Sequence, residues 1–209
     1  MIGKYIFDLQ IHSNYSWDGK SSVEDIIQHS KSLGLSGISI TDHETIKGGI
    51  LGAKLTSNDE SFTVIPSTEI ATNFGDIIVM FVKGEIKTND FFEIKDIASS
   101  EDLLLMLPHP GRGITRARKV AEHVDAIETI NGHSRFTQNL KSIFLRDEFD
   151  KTAVAGSDAH TKEEIGRCRT IFNGLTEEEI RKDLKKGNTK VEGLMNTISN
   201  VPKSLKRIF

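Results

Sequence analysis

The sequence predicts an α/β fold in one domain, a closed or nearly closed parallel barrel. Short apolar, β-branched runs alternate with amphipathic helical patterns along most of the 209-residue chain. Seven such runs with intervening helices favour a barrel over a doubly wound sheet. No Pro/Gly/Ser-rich linker interrupts the chain, and 37% hydrophobic content can fill one core, so residues 1–209 read as a single unit, with a core over 5–172 and a helical, basic tail over 176–209.

Tyr5-Ile6-Phe7-Asp8-Leu9 opens as a strand. Ser22 then suits the N-cap of a helix whose Val23, Ile26, Ile27 and Leu33 share a face and whose C-cap is Gly34. Residues 37–41 form a second strand and 46–55 a helix. Residues 62–66 make a third strand. Residues 77–82 make a fourth, apolar enough throughout to be buried on both faces. A helix follows over 89–100. Strands over 103–107, 124–129 and 152–156 complete the set, with helices after Thr115 and over 136–149.

Composition narrows the partners. A formal charge of −3 gives no global pull towards nucleic acid or membrane, so neither a stable nucleic-acid complex nor a membrane partner is expected. The single cysteine, Cys168, excludes an internal disulfide, no signal-peptide pattern opens the chain, and no apolar stretch approaches the roughly 20 residues of a membrane span; a cytoplasmic location is expected. Residues 181–209 carry eight Lys/Arg against two Asp/Glu, a balance of +6 that leaves −9 elsewhere. That asymmetry fits docking of the tail on its own body, an anionic partner, or simply a solvated helix. Oligomeric state is not legible.

The chemistry lies where the strands end. The runs close on Gln10 and His12, Asp42 and His43, Glu69, His109, His133 and then Asp158 with His160. In parallel α/β architectures the carboxyl ends of strands meet at one face, so scattered ligands converge. Gln10 and His12, two apart on an extended segment, project to the same side as Asp8. Asp158-Ala159-His160 repeats the spacing. Imidazole with carboxylate suits Zn²⁺, Mn²⁺ or Fe²⁺ better than Ca²⁺ or Mg²⁺, and the lack of thiolates argues against a purely structural zinc site.

Asp8-Leu9-Gln10-Ile11-His12-Ser13, Ser16-Trp17-Asp18-Gly19, Thr41-Asp42-His43, Ser67-Thr68-Glu69, Pro108-His109-Pro110, Asn131-Gly132-His133 and Gly156-Ser157-Asp158-Ala159-His160 with Glu164-Ile165-Gly166 occur in that order. Together they resemble the polymerase and histidinol phosphatase (PHP) family of metal-dependent phosphoesterases. The resemblance implies a distorted (β/α)7 barrel carrying two or three divalent ions, Mn, Zn or Fe. It places Gln10, His12, Glu69 and Asp158 at a first ion, Glu69, His109 and His133 at a second, and Asp18, His43 and His160 at a third, with Glu69 bridging. It further implies hydrolysis of a small phosphorylated metabolite, nucleotide or oligonucleotide end through a metal-bridging hydroxide. Glu69, Asp158 and Arg135 would be the catalytic groups. Arg135, two residues beyond His133, is the first candidate to hold the phosphoryl group and Arg112 the second, each against the alternative of a surface ion pair.

One position departs from the pattern. Where the family reads Asp-Leu-His-x-His, this chain has Gln10, a neutral carboxamide with a weak oxygen donor. Gln10 ligates through that oxygen, or the first ion is absent, or the chain is a catalytically impaired metal-binding or interaction module. Loops 13–20, 70–76 and 110–118 would set specificity, with Tyr15 and Trp17 either walling a nucleobase or packing under their loop. Asp42 reads as support for a ligand, Asp8 as support for ligands or barrel floor, His29 and His123 as surface groups, and Cys168 as a packed small residue.

Overall fold

The structure, a computed structural model, describes residues 5–193. The expected opening at residues 1–4 and the expected tail beyond residue 193 lie outside the described residues.

The elements run β1 (Tyr5–Ile11), α1 (Val23–Ser32), β2 (Gly37–Ile40), α2 (Lys47–Leu55), β3 (Thr63–Thr72), β4 (Gly75–Met80), α3 (Phe91–Ser100), β5 (Leu104–Leu107), α4 (Ile114–Ala117), β6 (Ala126–Asn131), α5 (Phe136–Phe149), β7 (Thr152–Gly156), β8 (Cys168–Phe172), α6 (Glu177–Lys186) and β9 (Lys190–Gly193). Local chemistry sets their limits. The Ser22 hydroxyl accepts from the Asp25 N–H at the start of α1, and Gly34 takes the left-handed conformation (φ +74°) just past its end.

The strands form one mixed sheet in the order β7-β6-β5-β4-β3-β2-β1-β8-β9. β1, β2 and β3 pair in parallel, as do β5, β6 and β7. The expected all-parallel barrel is corrected at three strands. β4 runs antiparallel to both β3 and β5, because only Asn73 and Phe74 separate it from β3 and a parallel return needs a crossover of about a dozen residues. β8 and β9 were not expected; β8 pairs antiparallel on β1's other edge and β9 antiparallel on β8. Residues 70–72 and 75–76 therefore belong to strands of a hairpin, and the expected 70–76 loop shrinks to its turn.

The sheet curls until its ends nearly meet, giving the barrel. At one level the Thr170 hydroxyl accepts from the Ala155 N–H at 2.8 Å and donates to the Ala155 carbonyl at 2.9 Å. Higher up, the segment after β7 lies along β1: the His12 N–H donates to Ala159 (2.8 Å) and the Ala159 N–H to Gln10 (3.3 Å). Alternate residues fill the interior, including Phe7, Leu9, Ile65, Ile78, Met80, Leu104, Met106 and Phe172. The opposite faces of β4 and β5 pack Ile77, Val79, Leu105 and Leu107 against Phe91 and Ile94 of α3, so β4 is buried on both sides as its composition requires.

α6 docks on the barrel through buried Ile180 and Leu184. The Arg181 guanidinium lies 4.0 Å from the Phe81 ring centroid and Lys185 pairs with Asp102 at 2.8 Å. Of the readings open for the basic tail, this part takes self-docking. Among the described residues no helix is long and apolar enough to cross a membrane.

Candidate metal centre

β1 and the residue after it deliver three buried polar side chains, Asp8, Gln10 and His12, and a register shift against β2 between Asp8 and Ile11 breaks the strict alternation expected of them. Asp8 works as an anchor: its Oδ1 accepts from the Ser157 N–H at 2.8 Å and more weakly from the Gln10 N–H at 3.4 Å, and its Oδ2 accepts from the Gly166 N–H at 2.7 Å. It thus fixes the segment that carries Asp158. Asp42, past the end of β2, accepts from both the N–H (2.6 Å) and the hydroxyl (2.7 Å) of Ser13, which secures the loop that carries Asp18.

Glu69 projects from β3. His109 and Asp158 follow β5 and β7 in left-handed backbone, φ +32° and +58°. Such a conformation costs on the order of 1–3 kcal/mol in a non-glycine residue and clusters at functional sites. Here it turns each side chain inward directly after its strand.

These residues assemble into overlapping groups. His12 Nε2 lies 3.4 Å from Glu69 Oε2 and 3.3 Å from Asp158 Oδ1. His109 Nε2 lies 3.1 Å from Glu69 Oε1, so Glu69 stands between the two imidazoles. Asp18 Oδ2 approaches His43 Nε2 at 3.2 Å and His160 Nε2 at 3.0 Å, bringing together the trio expected at a third ion. The His12 ring stacks between those of His43 (4.6 Å) and His160 (4.7 Å). Gln10 reaches the centre but turns its amide N–H to Glu69 Oε2 at 2.9 Å, while its oxygen accepts from Asn131 Nδ2 at 3.1 Å.

Two expected placements are revised. His133 does not join Glu69 and His109; its Nε2 lies 3.1 Å from Glu164 Oε1, in a group with His160. The cause is local, because residues 132–134 turn away after β6 and the His133 N–H is held by Asn131 Oδ1 at 3.0 Å. The place beside Glu69 and His109 is taken by Asp76. The cationic partners also exchange rank. Arg135 is exposed at the N-cap of α5, where its N–H donates to Gln138. Arg112 enters the centre instead, its Nη2 donating to Asp158 Oδ2 and Asn131 Oδ1, both at 2.8 Å, with 35% of its side chain still exposed.

Burial and close charges set the electrostatics. Burial opposes a charge on His12, but Asp158 and Glu69 outweigh it and raise the imidazole to about 10. Burial also acts on Glu69 and Asp158, yet His109 and His12 beside the first, and His12, His109 and Arg112 beside the second, hold both well below the usual carboxylate range. His109 is raised by Glu69 against the effect of burial. Glu128 behaves oppositely: fully buried, it is pushed up to about 8.

Glu128, Asn131, Asp76 and Glu164 were not among the candidate residues. A lone carboxylate within Ala126-Ile127-Glu128-Thr129-Ile130 was the available signal for Glu128, since such a group needs partners. It takes them from the His109 N–H (2.7 Å) and Asn131 Nδ2 (3.0 Å). Asp76 opens its strand, and only the reversal of β4 puts that end at the ligand-bearing mouth.

The remaining side chains sort plainly. Trp17 is 85% exposed and lies parallel to His43 at 5.7 Å, which excludes packing beneath its loop; Tyr15 is also exposed. His29 is half-buried on α1, and His123 contacts Phe91 and Phe92. Cys168 is buried among Ile130 and Ala155.

The donors suit a divalent transition ion. Both ring nitrogens of buried His12 lack a well-directed hydrogen-bond partner among the described residues, and imidazole and carboxylate donors lie within 4.8 Å of one another in three groups at the centre: His12, Asp18 and His160; His12, His43 and Glu69; and Glu69, Asp76 and His109. Position 10 is the exception, since it offers the centre an N–H. Fold and site together define an α/β barrel protein with a candidate polynuclear metal centre.

The chain belongs to the PHP domain family. The PHP domain description matches residues 8–100 and the PHP-associated description residues 136–189. Two uncharacterised proteins of Methanocaldococcus jannaschii are each 32% identical, one over 127 residues (55% of this chain, 54% of the relative) and one over 142 (61% and 82%). A two-domain protein from Bacteroides vulgatus, described as containing a predicted PHP-like metal-dependent phosphoesterase, superposes with TM-score 0.76 at 18% identity, over 91% of this chain and 65% of that one. The chain thus spans about half of one curated relative and two-thirds of that structure.

Proposed function

We propose that this chain is a metal-dependent phosphoesterase acting on a small phosphorylated metabolite, a nucleotide or an oligonucleotide end. One observation carries the reading: buried imidazoles and ionised carboxylates converge at the barrel mouth beside a guanidinium that remains partly exposed. His12, Glu69, Asp76, His109 and Asp158 would hold metal on one side, and Asp18, His43 and His160 on the other. A divalent ion so held acts as a Lewis acid on a phosphoryl oxygen and lowers the pKa of water.

The chain's own groups do the rest. Glu69 and Asp158, kept ionised by their neighbours, would supply the negative charge to retain an ion. Arg112, fixed by Asp158 and Asn131, offers its remaining N–H groups to a phosphoryl oxygen entering from solvent, a contact worth most where charge develops. Exposed Trp17, stacked on His43, rims the same mouth.

Gln10 favours a second reading, a barrel that keeps metal-binding groups while catalysis is impaired. Turnover of phosphorylated metabolites and short oligonucleotides with Mn²⁺ supplied separates the two. The phosphoesterase reading expects hydrolysis that Asp158→Ala and His109→Ala each abolish; full residual activity in those variants would place the chemistry elsewhere. A large gain on Gln10→His would favour the impaired module.

A further inference from the structure

The direction in which Gln10 presents its amide is fixed by groups that can only donate. Asn131 Oδ1 receives the Arg112 Nη2–H at 2.8 Å and the His133 backbone N–H at 3.0 Å, and neither donor has a lone pair to offer. The Asn131 oxygen must therefore face them. Its NH₂ then faces the other way, giving one bond to Glu128 Oε2 at 3.0 Å and one to Gln10 Oε1 at 3.1 Å. With its oxygen so used, Gln10 has only its NH₂ for the centre, and that group donates to Glu69 Oε2 at 2.9 Å. Turning the amide over would set oxygen against the Glu69 carboxylate and NH₂ against NH₂. Both contacts would be repulsive, and neither would be relieved by water, because Gln10, Asn131, Glu128 and Glu69 are at most 2% exposed.

From this relay, and resting on the reading of the centre as metal-binding, we propose that Gln10 is a hydrogen-bond strut and not a ligand, so that the chain takes up one divalent ion fewer than its Gln10→His variant. The strut occupies the oxygen of Glu69 that an imidazole at position 10 would share with an ion. Glu69 keeps its other oxygen towards His109, and the Asp18–His43–His160 trio is untouched by the exchange. A carboxamide at this position therefore changes the number of ions and leaves the remaining donors in place.

Ion counting tests this without reference to turnover. The full chain, Gln10→His and Gln10→Met are loaded with Zn²⁺ or Mn²⁺, and bound metal is read by native mass spectrometry and elemental analysis. Methionine preserves volume and removes both hydrogen bonds. The expected result is an unchanged count in Gln10→Met, with a lowered melting temperature, and one additional ion in Gln10→His. A count that falls by one in Gln10→Met would make Gln10 a ligand and overturn the proposal, as would equal, non-zero counts in the chain and Gln10→His. No bound ion in any of the three would overturn it together with the metal-centre reading, which distinguishes the two failures.

Discussion

Loading the centre with metal should expel protons, and the structure gives the amount. In the metal-free chain His12 is raised to about 10 by Asp158 and Glu69, so at pH 7 it carries a proton that an incoming ion must displace. The displacement lies about three pH units below that value, which corresponds to about 4 kcal/mol at 1.36 kcal/mol per unit. Affinity should therefore rise with pH, about tenfold per unit for this proton, up to about pH 10. His109, also raised, adds to the slope while it is protonated, which places log K against pH between one and two. The sign for stability is opposite: the contribution of His12 to the metal-free fold is fully present below about 6.5 and is lost as pH rises through about 10. Titration calorimetry with Zn²⁺ or Mn²⁺ in buffers of different ionisation enthalpy counts the protons directly. A slope below one half, with no proton released at pH 7, would refute the reasoning, because His12 would then be either neutral beforehand or not a ligand.

Three other perturbations have defined outcomes. Asp8→Asn sets an NH₂ among the N–H groups of Ser157, Gly166 and Gln10 and should cost about 3 kcal/mol, lowering the melting temperature by roughly 6–12 °C; a shift under about 2 °C would deny Asp8 its anchoring role. Gly156→Ala places a Cβ 2.7 Å from the Gln10 Cβ and 2.8 Å from Glu128 Oε1, overpacking worth about 1–3 kcal/mol in a urea titration, and unchanged stability would mean that the relay yields freely. Arg112→Ala should lower kcat/KM on a hydrolysed phosphoester by about 100-fold, whereas Arg135→Ala should change it less than about threefold; the reverse ranking would restore the arginine that the sequence favoured.

The sequence carried the positions of elements better than their directions. The 77–82 run announced a strand buried on both faces, but nothing in an apolar run says which way it travels, and the Asn73-Phe74 turn reverses it. That reversal is what hid Asp76. β9 escaped because Lys190-Val191-Glu192-Gly193 is polar and sits at a sheet edge. At the centre, His12, His43, His109 and Asp158 were legible as candidates because each stands within three residues of a strand's end. His133 was misplaced because its position depends on a turn stabilised by Asn131. The hydrogen-bond relay was out of reach for a related reason: whether Gln10 shows oxygen or nitrogen is decided 121 residues away, at Asn131, and ultimately by Arg112.

Above the Thr170–Ala155 contact, the barrel's last join is made by the segment holding Asp158, not by a ladder of two strands. Residues 157–159 are tied to β1 through Asp8, Gln10 and His12, the strand that supplies the facing donors. Whatever tightens the grip of His12 and Asp158 on a shared partner also shuts the cylinder, and whatever loosens that join spreads the two apart. Occupancy of the mouth should in this way tighten the closure of the wall, and slower exchange of the Ser157, Ala159 and Gly166 amide hydrogens with deuterium on addition of metal would record both at once.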